Sequence, residues 1–232
     1  MYASQTGSGA TQKGRFMGVS PKSGSQPSMS DALAVRILDI VIAASALVFL
    51  GPLLIVVAGL VYIVDPGPIF FAHRRLGRDG RSFPCLKFRS MVTDADQRLK
   101  QLLATSAEAR DEWARDFKLR RDPRITSIGV FLRKSSIDEL PQLLNVLRGE
   151  MSIVGPRPIV EGEVERYGRY YAHYSAVKPG ITGLWQVSGR NDVTYRRRVA
   201  LDVTYARNKC FVLDLRILAM TVPAVLLAKG SC

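Results

Sequence analysis

The sequence is poor in the residues that build metal and thiol sites. Its 232 residues include three cysteines and two histidines. The cysteines, at positions 85, 210 and 232, are odd in number and widely spaced, so neither a disulfide framework nor a zinc site is predicted. His73 and His173 lack metal-ligand spacing, and no Ser-His-Asp or Cys-His arrangement is evident. Unpaired cysteines of this kind fit a reducing compartment.

Acidic residues are also in the minority. The chain carries 33 Lys and Arg residues against 20 Asp and Glu, a formal net charge of +13. Such an excess favours anionic partners, namely nucleic acid, phosphorylated substrates or an acidic lipid leaflet. The sign of the charge does not choose among them. The apolar fraction of 47% is close to the globular average, so composition indicates neither wholesale disorder nor a polytopic membrane protein.

Composition divides the chain into three segments. Residues 1–30 are rich in Gly, Ser, Thr, Gln and Lys, lack apolar periodicity and predict a flexible tail. This tail is too long and too polar to precede a typical secretory signal. Residues 31–65 contain a membrane segment, and residues 66–232 are long enough for one catalytic domain.

The membrane segment, Ile40–Val64, contains no charged residue and exceeds the roughly 20 residues that cross a hydrocarbon core. Gly51 and Pro52 interrupt its middle, where a proline removes a backbone hydrogen bond and bends a helix. Basic residues flank both ends, as expected of cytoplasmic segments. These features favour a re-entrant helix that breaks at Pro52 and returns to the same face, while a straight single span stays open.

The remaining sequence predicts a helix-rich α/β domain. Short strands are expected at Ile69–Ala72 and Phe83–Phe88, with a turn at residues 77–80 between them. Leu213–Ala228 predicts a helix at the membrane interface or one buried in the core. The other expected helices are Asp94–Phe117, Ile137–Arg148, Val160–Tyr171 and Tyr195–Asn208.

Two adjacent carboxylates, Asp138 and Glu139, form the leading candidate site. Ser136-x-x-Glu139 also matches a capping box, which is a purely structural explanation. The cationic surroundings favour chemistry, because Arg133 precedes the pair and Arg157 follows it between two restrictive prolines. Carboxylates beside fixed guanidinium groups suit a phosphoanhydride, with Mg²⁺ on one carboxylate and the other free to attack phosphorus.

Two further motifs are candidates for ligand contacts. Lys87 and Arg89 belong to KFRSM, which is equally explained as a strand edge with its charges in water. The loop KPGITGLWQVSGRN has glycines that permit close approach to a ligand, but it contains neither GxxxxGK[ST] nor GxGxxG. The run Arg196-Arg197-Arg198 favours a basic helical face near anionic lipid headgroups over a substrate site.

Together the motifs resemble the bacterial sugar transferase family. They are KFRSM at Lys87–Met91, the carboxylate pair within SSIDELPQLLNVLRGEMSIVGPRP, and KPGITGLWQVSGRN at Lys178–Asn191. They occur in the family's order, and the resemblance covers about Ala34 to the C-terminus. The family contains monotopic phosphoglycosyl transferases that act on polyprenyl phosphates. The chain is most similar to its short exopolysaccharide-initiating members, which transfer galactose phosphate to undecaprenyl phosphate.

The resemblance implies both a fold and a reaction. The fold would combine a re-entrant membrane helix, interfacial amphipathic helices and a small mixed α/β catalytic domain on the cytoplasmic face of the bacterial inner membrane. The enzyme would move galactose 1-phosphate, with glucose 1-phosphate as the alternative, from a UDP-sugar to undecaprenyl phosphate and release UMP. This step would initiate the synthesis of exopolysaccharide or another surface glycan.

The resemblance also implies roles for individual residues. Asp138 would be the nucleophile that forms a sugar-phosphoryl aspartate, and Glu139 would hold Mg²⁺. Substrate contacts are expected from Lys87, Arg89, Arg133, Arg157, Arg190 and Asn191.

Alternatives from other classes stay open. A membrane-tethered nucleic-acid-binding protein would explain the positive charge, but the chain has no recognisable nucleic-acid-binding motif, so no nucleic-acid partner is expected. A basic membrane scaffold would leave the carboxylate pair without a role. Direct transfer, with Asp138 serving only as a metal ligand, is an enzymatic alternative. The expected partners are the UDP-sugar, undecaprenyl phosphate and membrane lipids, and a homo-oligomer stays open.

Overall fold

The structure is a computed structural model that describes residues 29–116, 119, 122–189 and 193–226. It confirms a helix-rich fold with a small mixed β component. Residues 29 and 30, which the composition assigns to the tail, already belong to the first helix. The rest of the predicted tail lies outside the described residues.

The first helix, α1, spans Met29–Val64 and has a strongly apolar surface. Val48 and Phe49, near its middle, are 81% and 84% exposed. Its helical conformation continues through Pro52. Among the described residues, α1 is the one helix that is long and apolar enough to cross a membrane, and most of its apolar stretch is not covered by protein. Such a surface suits lipid contact.

Both ends of α1 are attached to the same folded domain. Near its start, Asp39 is almost fully buried, and its Oδ1 accepts hydrogen bonds from the Ser152 hydroxyl at 2.9 Å and the Ile153 amide at 2.7 Å. Near its end, Val61 lies in a buried apolar cluster with Phe88. The exposed middle of the helix therefore lies between two anchored ends.

Two antiparallel strands follow α1. Strand β1 (Phe70–Leu76) pairs with β2 (Ser82–Phe88) along the whole length of both strands. A single 3-10 turn at Arg78–Gly80 connects them, with Asp79 at a left-handed φ of 59°. Both predicted strands and the turn are confirmed, and β1 extends beyond the expected end at Ala72.

Helices make up most of the rest of the domain. They are α2 (Ala95–Thr105), α3 (Ala107–Asp116), α4 (Ser127–Ser135), α5 (Gln142–Arg148), α6 (Val164–Tyr167), α7 (Tyr171–Ser175), α8 (Leu184–Val187), α9 (Tyr195–Asn208) and α10 (Phe211–Leu226). Helix α9 has its predicted bounds. The single helix expected at Asp94–Phe117 is wrong, because Ser106 is extended and its hydroxyl caps α3 by accepting a hydrogen bond from the Ala109 amide.

Two other predicted helices are interrupted. The segment Val160–Tyr171 consists of short helical turns, and Gly168 lies within it at a positive φ of 50°. The segment Ile137–Arg148 begins with a 3-10 turn, Ile137–Glu139, and becomes α-helical only at α5.

Helix α10 has features of both predicted kinds of helix, one buried in the core and one at the membrane interface. Ile217 is fully buried in the largest apolar cluster and Asp214 is 1% exposed, as in a core helix. The opposite side exposes apolar side chains such as Leu215 and Val222, as in a helix at a membrane interface.

A second, smaller sheet joins β3 (Ser152–Val154) to β4 (Gly180–Thr182) in parallel, and no sequence pattern predicts it. Here two loops touch backbone to backbone. A Cβ on Gly180 would lie 2.1 Å from the Gly155 nitrogen, and one on Gly183 would lie 2.2 Å from the Gly155 oxygen. Glycine is therefore required for the loop after β3 to lie against the loop around β4.

A buried carboxylate lies in the core between α6 and α9. Asp202 is 1% exposed and accepts a hydrogen bond from the Tyr167 hydroxyl at 2.7 Å. Burial raises the pKa of Asp202 to about 6, although this hydrogen bond and the charge of Arg198 oppose the rise. Its other oxygen has no hydrogen-bond partner among the described residues. Ionised Asp202 is therefore unfavourable in the folded state.

This raised pKa predicts a pH-dependent stability. Between the unfolded pKa near 3.8 and the folded pKa of about 6, the folded state keeps a proton that the unfolded state has lost. The contribution of Asp202 is thus fully present below pH 4 and is lost as the pH rises through 6. We expect Asp202→Asn to match the wild type at pH 4 and to exceed it at pH 7 by up to about 3 kcal/mol. Thermal unfolding in nanodiscs at both pH values measures the difference.

The exposed variant Asp96→Asn, on α2, is the matched control and is expected to change neither value. Equal pH dependence in Asp202→Asn and the wild type would contradict the prediction.

Candidate active site

The candidate carboxylates lie on a sharp turn between α4 and α5. Helix α4 ends at Ser136, which takes the left-handed φ of 58°, and Ile137–Glu139 then forms a single 3-10 turn. The Ser136 side chain makes no capping hydrogen bond. The capping-box explanation of this sequence is therefore wrong, and the Glu139 side chain is directed to a different partner.

That partner is Lys87, which lies beside both carboxylates. Its Nζ donates a hydrogen bond to Glu139 Oε1 at 2.6 Å and lies 3.9 Å from Asp138 Oδ2. Asp138 is 7% exposed. Because adjacent buried carboxylates repel each other, a shared ammonium group is what allows both to remain ionised.

Asn145 fixes the strand that carries Lys87 against the helix that follows the pair. It is fully buried on α5, and its Oδ1 accepts a hydrogen bond from the Leu86 amide at 3.0 Å. Its Nδ2 donates to the Pro84 carbonyl at 2.8 Å. These bonds satisfy the backbone of β2 immediately before Lys87, so the position of the ammonium group relative to the carboxylates is set by backbone contacts.

Arg133 approaches the same turn from α4. Its Nε donates a hydrogen bond to the buried Ser90 hydroxyl at 2.9 Å, and the Ser90 carbonyl accepts a hydrogen bond from the Thr126 amide at 3.1 Å. Helix α4 lies directly on KFRSM, since a Cβ on Gly129 would come within 2.0 Å of the Ser90 oxygen. The guanidinium group of Arg133 is thereby oriented at the edge of the site.

The two carboxylates have different electrostatic environments. Burial raises the pKa of Asp138, and the opposing charges of Lys87 and Arg133 do not cancel the rise. Burial also disfavours ionisation of Glu139, but Lys87 and Arg157 outweigh it and lower the pKa of that carboxyl. Asp138 is therefore more basic than an ordinary aspartate, and Glu139 is less basic than an ordinary glutamate.

A polar pocket opens beside the pair. Its lining residues are Arg75, Cys85, Lys87, Glu139, Gln142, Arg157, Pro158, Gly180, Ile181 and Gln186. The Arg157 side chain makes no hydrogen bond or ion pair with another described residue. The glycine contacts between the β3 and β4 loops place this arginine at the pocket, where it is free to bind an anion.

The structure brings together most of the predicted site residues, namely Lys87, Arg133, Asp138, Glu139 and Arg157. Arg89 lies elsewhere. Its buried guanidinium group contacts the Asp65 carboxylate at 3.3 Å and donates to the Asp65 carbonyl at the end of α1. The geometry gives the expected substrate contact of Arg89 no support and indicates an anchoring role instead. Arg190 and Asn191 lie outside the described residues.

Among the lining residues that were not predicted, three have long polar side chains: Arg75, Gln142 and Gln186. Arg75 is one of several basic residues that follow the membrane segment. It differs from Arg74 only because successive side chains of β1 point to opposite sides of the strand. Gln142 follows Glu139 by three residues, a spacing that places two side chains on one helical face. Gln186 carried no sequence signal beyond its glycine-bounded loop.

The basic run on α9 is not one uniform surface. Arg196 and Arg197 are exposed, whereas the Arg198 guanidinium lies 4.5 Å from the Trp185 ring centre and 5.5 Å from that of Tyr195. The interpretation of the run as a lipid-facing basic face is therefore wrong for Arg198, which stacks inside the domain.

The site offers a magnesium ion two carboxylates and no more. Within the residues that the structure describes, no group of three or more His, Cys, Asp or Glu side chains is placed to hold a metal. Mg²⁺ is nonetheless commonly bound by one or two carboxylates together with substrate phosphates and water. Glu139 fits that mode, with phosphate oxygens and water as the remaining ligands.

The arrangement is suited to substitution at phosphorus. The buried carboxylate of Asp138 lies next to Glu139, which lines a pocket together with the cations Arg75, Lys87 and Arg157. Cations placed around a phosphate stabilise the charge that develops during transfer, and a carboxylate is a known covalent nucleophile for phosphoryl groups.

Comparison with known proteins agrees with this chemistry. The family model described as "Bacterial sugar transferase" matches residues 30–228. The exopolysaccharide production protein ExoY of Sinorhizobium fredii is 50% identical over 199 residues, which cover 86% of this chain and 88% of that protein.

Two longer relatives match over part of their length. The undecaprenyl-phosphate galactose phosphotransferase of Salmonella typhimurium is 52% identical over 84% of this chain and 41% of its own length. The UDP-glucose:undecaprenyl-phosphate glucose-1-phosphate transferase of Xanthomonas campestris is 41% identical over 86% of this chain and 40% of its own length. The chain therefore belongs to the bacterial sugar transferase family, as its three motifs predicted, and is a transferase.

Proposed function

We propose that the chain transfers galactose 1-phosphate from UDP-galactose to undecaprenyl phosphate and so initiates the synthesis of an exopolysaccharide or another surface glycan. The observation that carries the proposal is the Lys87-linked pair of Asp138 and Glu139 at the edge of a cationic pocket. The printed names of the Salmonella and Sinorhizobium relatives support the acceptor and the pathway class. Galactose is preferred to glucose because the galactose relative is 52% identical and the glucose relative 41%.

The first half-reaction forms a bond between an Asp138 oxygen and the β-phosphorus of the donor. The bond from that phosphorus to the bridging oxygen breaks, UMP leaves with the electron pair, and the protein carries a sugar-phosphoryl aspartate. Lys87 and Arg157 stabilise the charge on the phosphoryl oxygens, and Arg133 stabilises the Asp138 carboxylate before attack.

The second half-reaction uses the same phosphorus. An oxygen of undecaprenyl phosphate attacks it, the bond to Asp138 breaks, and the carboxylate is regenerated as undecaprenyl diphosphate galactose leaves. No net proton transfer is needed. A covalent intermediate lets one pocket serve a water-soluble donor and a lipid acceptor in turn.

Glu139, with the donor phosphates, is the proposed ligand of Mg²⁺, and Asp138 stays free for attack. When bound, the ion would neutralise phosphate charge as a Lewis acid. Lys87 would then keep its weaker contact to Asp138 while giving up part of its contact to Glu139.

The attachment of both ends of α1 to one domain supports a proposal for the membrane arrangement. We infer that α1 enters the bilayer and returns to the cytoplasmic face, so that its exposed middle lies in lipid. This placement keeps the pocket near the headgroups, where the acceptor phosphate lies. A non-catalytic scaffold would give no reason for the adjacent carboxylates beside Lys87 or for Arg157 in the pocket.

The covalent step predicts a labelled protein. With radiolabelled UDP-galactose and no acceptor, the wild type in nanodiscs should form a labelled band and release UMP, whereas Asp138→Asn should form no band and lose at least about 10³-fold in turnover. The exposed control Asp96→Asn should behave as the wild type. Wild-type UMP release by Asp138→Asn would refute the assignment, and turnover without any adduct would favour direct transfer.

The metal role predicts a shift in magnesium dependence. EDTA should abolish activity and added Mg²⁺ should restore it. Glu139→Gln removes a charged ligand, so half-maximal activity should require at least about tenfold more Mg²⁺. Activity in EDTA equal to that with Mg²⁺, or an unchanged Mg²⁺ requirement in Glu139→Gln, would contradict the role.

The topology predicts labelling from one side. Single cysteines at the exposed positions Met29 and Arg81, in a variant without the native cysteines, should react with an impermeant maleimide from the same side of oriented vesicles. Labelling of the two positions from opposite sides would establish a single span instead.

A further inference from the structure

Arg75 lies in the pocket although it belongs to none of the three motifs. It is on β1, and its side chain is 18% exposed, whereas the neighbouring Arg74 is exposed on the other side of the strand. The pocket that Arg75 lines also contains Lys87, Arg157 and Glu139. An arginine that is largely buried at the edge of a reactive site needs either a partner or a ligand.

Two groups of the protein orient the Arg75 side chain. The Nη1 atom lies 3.5 Å from the Pro158 carbonyl and 3.9 Å from Glu163 Oε2. Glu163 is itself fixed, because Oε2 accepts a hydrogen bond from the Val160 amide at 3.1 Å and Oε1 accepts one from the Tyr195 hydroxyl at 3.3 Å. Both contacts to Arg75 are long, so they orient the guanidinium group without using its donors fully.

The charges in the pocket favour an anion beside Arg75. Arg75, Lys87 and Arg157 line it, and Glu139 is the one carboxylate among the described lining residues. Burial lowers the pKa of Arg75, and the charge of Arg157 lowers it further. A diphosphate bound between Arg75 and Arg157 would offset the repulsion between the two guanidinium groups, since each can bind phosphate oxygens through two N–H groups.

The cations are also ordered with respect to the carboxylates. Lys87 lies 2.6 Å from Glu139 Oε1 and 3.9 Å from Asp138 Oδ2, so it is placed at the phosphorus that Asp138 attacks. Arg75 lines the same pocket, but the carboxylate that it contacts is Glu163, at 3.9 Å.

We propose that Arg75, oriented by Glu163 and the Pro158 carbonyl, binds the phosphate that leaves with the nucleotide, while Lys87 and Arg157 hold the phosphate that stays with the sugar. The proposal rests on the proposed function and adds a second phosphate contact to it. Arg75 touches the donor and its product UMP, and it makes no contact with the sugar 1-phosphate.

The test measures binding of UMP and of galactose 1-phosphate separately, by calorimetry on the full chain in nanodiscs. Arg75→Met should weaken UMP binding at least about tenfold, because a charge-assisted contact is lost, and should change galactose 1-phosphate binding less than about twofold. Arg75→Lys should lie between Arg75→Met and the wild type. The matched control is Arg74→Met, one residue away on the exposed side of β1, with no change expected for either ligand.

Glu163→Gln provides a second variant that is independent of the Arg75 substitution. Its amide oxygen accepts the hydrogen bond from the Val160 amide and its NH2 group donates to the Tyr195 oxygen, but the charge beside Arg75 is removed, so UMP binding should weaken about threefold. Equal UMP binding by Arg74→Met and Arg75→Met would overturn the proposal, as would a loss confined to galactose 1-phosphate. The proposed function is tested separately, by the adduct assay on Asp138→Asn. Failure of the Arg75 proposal can therefore be distinguished from failure of the proposed function.

Discussion

The site depends on keeping two adjacent carboxylates ionised at a largely buried position. Removing such groups from water is costly, and their mutual repulsion adds to the cost. Lys87 offsets both by lying 2.6 Å from Glu139 and 3.9 Å from Asp138. Much of the surrounding fold serves this contact, since Asn145 fixes β2 to α5 and Gly129 lets α4 lie against the Ser90 backbone. Loss of either packing contact would displace the ammonium group relative to the turn.

The same strand that presents Lys87 also connects the site to the apolar helix. One residue beyond β2, Arg89 is joined to Asp65 at the end of α1, and at the other end Asp39 binds the start of β3. The loop after β3 then carries Arg157 to the pocket. These two polar attachments of α1 are thus one short segment away from a catalytic element. A displacement of α1 in the membrane would therefore move the phosphate-binding groups as well.

The sequence was sufficient for the parts of the site that are local in the chain. The carboxylate pair, Arg157 between its prolines and the hairpin strands are marked by spacing and composition alone. Long-range pairing was not accessible: nothing in KFRSM distinguishes Lys87, which contacts the carboxylates, from Arg89, which contacts Asp65. Arg75 was missed for the same reason, because some of its neighbours in the pocket, such as Glu139 and Arg157, lie more than 60 residues away in the chain. The predicted helices are interrupted at Ser106 by an N-cap and at Gly168 by a positive φ. These local features override the periodicity of the apolar residues.

The contrast between the two carboxylates explains why the proposed nucleophile is Asp138 and not Glu139. Lys87 takes up one oxygen of Glu139 in a short hydrogen bond, and that carboxyl has a lowered pKa, so its electron pairs are the less available. Asp138 has a pKa raised by burial and only a distant contact with the same ammonium group, so it is more basic than an exposed aspartate and is weakly solvated. Basicity and poor solvation both favour attack on phosphorus, whereas a firmly ionised carboxylate suits a cation. One lysine placed unequally between two acids therefore separates their roles.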